Sequence, residues 1–119
     1  MDMNEYQKQA KVFDVSGERI NLLSKEENIR NILQIAYSLS GLAEEIGELE
    51  GKFKRYLRGD IVRQVFEDEV LSELGDVLWC LSDTAGNLGF TLEEIAKGNL
   101  YKLTSRMERG KIKGSGDNR

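Results

Sequence analysis

The sequence predicts an all-α fold, an antiparallel bundle of about four helices per chain that is completed by oligomerisation. Three observations carry this. The 119 residues include no proline, apolar residues recur every three or four positions along two long stretches, and no segment alternates with the period of two that a half-buried strand needs. At this length one domain, residues 1–119, buries only a modest core of its own, so a second subunit would contribute much of the missing burial.

Met3 to about Phe13 reads as a short first helix, and Asp14 to Leu23 as a connecting loop around Ser16 and Gly17. Ser24 followed by Glu27 has the S-x-x-E pattern of a capping box. Beyond it Ile29, Ile32, Leu33, Ile35, Leu39, Leu42, Ile46, Leu49 and Phe53 follow helical spacing, which predicts a long second helix from about Lys25 to Leu57. Lys52, Lys54, Arg55 and Arg58 suit the negative end of its dipole, and Gly59 stops it.

Asp60 is placed to cap a third helix that ends near Gly89 and repeats Phe66, Val70, Leu74, Val77, Leu81 and Leu88 along one side. Thr91 with Glu94 forms another capping box and opens a fourth helix through Ile95, Leu100 and Leu103 to about Arg109. The tail from about residue 110 is glycine-rich and polar, hence loose unless a ligand or partner orders it.

Composition narrows the function. A formal charge of −4 and a pI near 5.0 argue against binding bulk nucleic acid, which needs a cationic excess. No apolar run approaches a membrane span, and Met1 to Ala10 lacks the pattern of a signal peptide, so a cytoplasmic protein is expected. The single cysteine, Cys80, has no internal disulfide partner, and the chain has no histidine. Any metal site is therefore built from carboxylates and suits magnesium, with manganese as a substitute.

Such a site has candidates. Glu44-Glu45-Ile46-Gly47-Glu48 places Glu45 and Glu48 three apart on one helical face, with Glu44 on its edge, and Glu73-Leu74-Gly75-Asp76 repeats the arrangement on the next helix. Both pairs border the apolar stripe. Four carboxylates brought together repel one another unless a divalent cation balances them. Gly47 and Gly75 each cost about 1 kcal/mol against alanine in a helix, a cost that close packing of another helix at those positions would explain.

Cations share the surface. Lys52 follows Glu48 by four and Arg55 by seven, so Lys52 either pairs with Glu48 or meets an anionic ligand. On the fourth helix Asn99, Lys102 and Arg106 share a face suited to phosphate or base recognition, although such a trio taken alone is more often solvated surface. Trp79 and Asp83 read as packing or interface residues.

Glu44-Glu45-x-x-Glu48, followed after 24 intervening residues by Glu73-x-x-Asp76, resembles the MazG-like all-α nucleoside triphosphate pyrophosphohydrolase family, whose pattern is EExxE then ExxD. The resemblance runs from about residue 28 onward and takes in Asn99-x-x-Lys102-x-x-x-Arg106 and the closing Gly-Asp-Asn-Arg. It implies that Glu45, Glu48, Glu73 and Asp76 ligate magnesium, and that Glu44 completes the catalytic acids. Asn99, Lys102 and Arg106, together with Lys52 and Arg55, would then bind a nucleoside triphosphate.

The implied reaction is hydrolysis between the α and β phosphates, giving a nucleoside monophosphate and pyrophosphate, in a house-cleaning role and in a homodimer or homotetramer. Two alternatives stand beside it: a non-catalytic helical dimerisation or nucleotide-binding module, and a dUTP- or dCTP-directed relative of the same superfamily. Cys80 stands where some relatives carry an aromatic, which leaves base preference open.

Overall fold

In the computed structural model, which describes residues 2–119, five helices account for all the regular structure among the described residues. They are α1 (Met3–Lys11), α2 (Gly17–Glu26), α3 (Ile29–Leu57), α4 (Arg63–Asn87) and α5 (Leu92–Glu108). The all-α expectation holds, with one helix more than expected. The chain divides into two compact units, residues 1–33 and 34–119.

The first unit corrects the reading of the N-terminal third. The segment expected as a loop contains most of α2, which runs on to Glu26, because the good helix-forming run from Glu18 to Leu23 outweighs the glycine at its start. Ser24 is not a cap. It lies inside α2, where its Oγ donates to the Ile20 carbonyl at 2.6 Å, the back-bond that hydroxyl residues form within helices. The long helix accordingly begins at Ile29 and not near Lys25, and the Asn31 amide is directed at Asn28 Oδ1, 3.4 Å away. Ahead of α2, Asp14 accepts from Lys11 and from the Ser16 hydroxyl, both at 2.6 Å. These bonds, Lys11 first, lower its pKa to about 2.

In the second unit α3 and α4 form an antiparallel hairpin, as their cross-helix partners show. Arg55 and Lys52 reach Glu69, Lys52 also reaches Glu73, Gly41 lies against Cys80, and Ser38 accepts from Asn87. Asp60 does not cap α4; its carboxylate accepts from Arg58, and Val62 precedes the helix without a side-chain cap. At the chain reversal Tyr56 stacks on Phe66 at 4.8 Å, with Phe53 6.1 Å from the same ring.

The two links depend on glycine. Gly59 and Gly89 take φ of 81° and 79°, the left-handed conformation that closes a helix while the next amide returns to an earlier carbonyl. Asp60 N donates to Arg55 O at 3.0 Å, and Phe90 N donates to Ala85 O at 2.9 Å. Downstream of the second link, Thr91 and Glu94 form the expected capping box.

The hairpin seam is small and polar. Ser38, Gly41, Glu45, Glu48 and Lys52 recur at three- and four-residue spacing on α3, as do Glu69, Glu73, Asp76, Cys80 and Thr84 on α4. Among the described residues only Cys80 and Ala85 are buried apolar residues, whereas Ser38, Glu73, Thr84 and Arg106 are buried polar ones. The buried hydroxyls are satisfied locally: Thr84 Oγ1 donates to Cys80 O at 2.8 Å and Ser38 Oγ to Ile35 O at 2.9 Å. Large side chains such as Leu39, Phe53, Leu71, Leu74, Leu78 and Trp79 remain exposed.

Candidate active site

The polar seam brings three of the predicted acids together. One carboxylate oxygen each from Glu45, Glu73 and Asp76 lies within 4.8 Å of the others. Glu73 is buried, Glu45 partly buried and Asp76 exposed, so the cluster sits at the mouth of the seam and not inside a closed core. Burial, followed by the charges of Glu48, Asp76, Glu73 and Glu44, raises the pKa of Glu45. Three converging carboxylates with this electrostatic strain fit a hard divalent cation with oxygen ligands.

Glu48 is not one of the three. It is exposed and lines an adjoining groove of about 410 Å³ with Gly51, Lys52, Lys54, Arg55 and Arg58. Glu44 is also exposed and lines a different cavity. Three of the four expected acids thus converge, with Glu48 beside them in the groove and Glu44 in the second space.

Lys52 does not pair with Glu48 among the ion pairs present. Its Nζ crosses the seam to Glu73 Oε1 at 3.4 Å and to Glu69 Oε2 at 4.0 Å, while Arg55 Nη1 meets Glu69 Oε2 at 3.4 Å. Four of the six residues lining the Glu48 groove are cationic. Lys54 and Arg58, assigned from the sequence only to the helix dipole, belong to this groove.

On the other side of Glu45 lies a cavity of about 210 Å³ lined by Tyr37, Ser38, Ser40, Gly41, Glu44, Glu45, Trp79, Cys80 and Asp83. Trp79 and Asp83, read from the sequence as packing or interface residues, line this cavity. Tyr37, Ser38 and Ser40 were not singled out, although Ser38 and Gly41 stand seven and four residues before Glu45 on one stripe. Cys80 narrows the cavity. A Cβ on Gly41 would stand 3.4 Å from its sulfur, and burial, then the charges of Glu45, Asp76, Asp83 and Glu44, push its thiol pKa up.

The acids, the basic groove and the aromatic cavity lie within a stretch for which the family relation is decisive: residues 35–110 match the MazG nucleotide pyrophosphohydrolase domain. The chain belongs to that family. It is also 41% identical over 87 residues to the Gene 37 protein of Mycobacterium phage L5, covering 71% of this chain and 76% of that one. No solved structure matches it. The family span contains Glu44, Glu45, Glu48, Glu69, Glu73, Asp76 and Asp83 and the α5 residues Asn99, Lys102 and Arg106.

Those α5 residues differ in availability. Asn99 is exposed and Lys102 partly exposed, whereas Arg106 is 5% exposed. Lys102 and Arg106 contact Asp117 of the tail. Among the described residues no other helix comes within 4 Å of a Cβ added at Gly47 or Gly75, so packing within the chain does not account for either glycine. No helix among the described residues is long and apolar enough to cross a membrane.

Proposed function

We propose that this MazG-family protein hydrolyses nucleoside triphosphates between the α and β phosphates, releasing a nucleoside monophosphate and pyrophosphate, and that it serves nucleotide-pool house-cleaning. The convergence of Glu45, Glu73 and Asp76 beside a groove lined by Lys52, Lys54, Arg55 and Arg58 carries this reading. Magnesium, or manganese in its place, would be held by those three carboxylates with Glu48 adjoining. Charge neutralisation of the polyphosphate and acidification of water are what such an ion supplies when bound.

The chain's own residues divide the remaining work. The cationic groove suits the pyrophosphate portion, since cations grip phosphate oxygens through charge-assisted hydrogen bonds. The cavity with Tyr37 and Trp79 suits the nucleoside, to which it offers aromatic surface and the hydroxyls of Ser38 and Ser40. The acid cluster between the two spaces then faces the α–β linkage. With no histidine in the chain, proton removal from the attacking water falls to a carboxylate, Glu44 or Glu48.

A second copy of the chain is the partner that best fits the uncovered apolar side chains. Leu71, Leu74 and Leu78 recur on one face of α4 at 73%, 49% and 56% exposure, more apolar surface than a lone small domain ordinarily leaves in water. The proposed form is a homodimer or homotetramer.

Incubation with magnesium and a panel of normal and modified nucleoside triphosphates tests the activity, with monophosphate and pyrophosphate scored apart from diphosphate and orthophosphate. Pyrophosphate release from at least one nucleotide is expected, along with its loss in Asp76→Ala. No release across the panel, or full activity in that variant, overturns the assignment.

A further inference from the structure

The ten residues after Arg109 fold back as a hook. Gly114 and Gly116 have φ of 121° and 82°, which lets the tail reverse. The Arg119 guanidinium closes it by donating to the carbonyls of Gly116 at 2.6 Å and Lys111 at 3.2 Å. Arg109 Nη2 in turn donates to the Arg119 carbonyl oxygen at 2.9 Å. The hook brings Asp117 against α5, where one oxygen, Oδ1, lies 3.3 Å from both Lys102 Nζ and Arg106 Nη2.

These two cations stand one helical turn apart and converge on a single carboxylate oxygen, an arrangement that would hold any oxyanion. Their occupant is the part free to leave. Asp117 is 83% exposed and sits on the tail, whereas the Arg106 side chain is 6% exposed and fixed on α5. Arg106 Nη2 also donates to the carbonyls of Asp117 at 3.0 Å and Gly116 at 3.4 Å. Its Nε, buried, has no hydrogen-bond partner. The hook thus covers the arginine while leaving one of its donors unused, and a phosphate with several acceptor oxygens and a higher charge is a stronger occupant than one carboxylate.

We infer that Lys102 and Arg106 form an anion subsite which Asp117 fills from within, and that a polyphosphate chain displaces this carboxylate and releases the C-terminal hook. The inference rests on the reading of the protein as one that handles nucleoside triphosphates, and it adds an internal competitor for their phosphates. Lys102, ahead of Arg106, keeps the Asp117 carboxyl below its ordinary range, so the competitor is fully charged at neutral pH and must be outbid by the ligand's own charge.

The probe is inorganic tripolyphosphate, added without divalent metal so that the acid cluster takes no part. Calorimetry on the full chain should show Asp117→Asn binding it about fivefold more tightly than the unaltered protein, with Lys102→Met removing most of that gain. Hydrogen exchange should show the amides of residues 110–119 exchanging at least tenfold faster at saturation. Equal or weaker binding by Asp117→Asn, no binding to either protein, or a tail that becomes more protected would each overturn the displacement. Hydrolysis is read separately: tail release without pyrophosphate production from any nucleotide sustains the hook and removes the enzymatic reading, and the converse result does the opposite.

Discussion

Lys52 on α3 and Glu73 on α4 meet across the hairpin seam, Nζ to Oε1 at 3.4 Å, and this pair joins the basic groove to the acid cluster. The lysine partly balances carboxylates that otherwise repel, and its side chain is 24% exposed against 10% for Glu73. Lys52→Met should therefore destabilise the metal-free protein by about 1–2 kcal/mol, between the values for exposed and buried pairs. Magnesium should recover much of that loss by supplying the missing positive charge. Thermal unfolding with EDTA and with magnesium measures both effects; an equal metal-induced shift in variant and parent would contradict this role.

Cys80 offers a test of how tightly the seam closes. The thiol is 4% exposed, its pKa is raised by burial and then by neighbouring acids, and Gly41 leaves it only van der Waals room. Because the thiolate is the reactive form, a disulfide reagent at pH 8 should label the folded protein at least a hundredfold more slowly than the unfolded chain. Gly41→Val should shift unfolding to lower temperature, because its methyl groups would press on the sulfur and split the hairpin. Rapid labelling of the native protein would mean that the seam opens readily.

Much of this site can be read from local spacing, and the part that cannot has an identifiable cause. Glu45, Glu73 and Asp76 were legible because acids three apart on a helix share a face and both pairs border an apolar stripe. Glu48 shares their stripe and lines the adjoining groove; how near it comes to the other three depends on the register of α3 against α4, which neither helix encodes alone. The same missing register hid the pairing of Lys52 with Glu73 and Glu69 in place of Glu48. Helix ends were legible where glycine enforces the stop, at Gly59 and Gly89. They were misread at Ser24 and Asp60, whose side chains satisfy a carbonyl within the helix and an arginine nearby. The hook at Asp117 left no periodic signal, since it is built from tail carbonyls and the positive-φ glycines Gly110, Gly114 and Gly116.

The start of α5 should respond to acid. Thr91 N donates to Glu94 Oε2 at 2.8 Å and Glu94 N to Thr91 Oγ1 at 3.1 Å, and the bonds from the Thr91 backbone and then its side chain lower the Glu94 pKa. A carboxyl with a lowered folded pKa adds stability above its unfolded pKa of about 4.3 and loses it as pH falls through the folded value. Glu94→Gln should remove this component of the pH dependence below about pH 4.3. Thr91→Ala should cost about 1 kcal/mol at neutral pH through loss of the cap. Denaturant unfolding at pH 7 and pH 3.5 distinguishes them; parallel pH profiles for Glu94→Gln and the parent would refute the cap's contribution.

Gly75 reports on what covers α4. It lies one residue after Leu74, four after Leu71 and three before Leu78, within an exposed apolar face, and no other element among the described residues comes within 4 Å of the Cβ it lacks. In an isolated chain Gly75→Ala would stabilise the helix by about 1 kcal/mol through propensity alone. If a second copy packs its backbone there, as the proposed oligomer requires, the added methyl group holds the helices apart and that gain is lost. Light scattering across a dilution series should then show the variant dissociating at a concentration about tenfold higher than the parent. A variant that is more heat-stable with unchanged self-association would place this face in solvent and remove α4 from the interface.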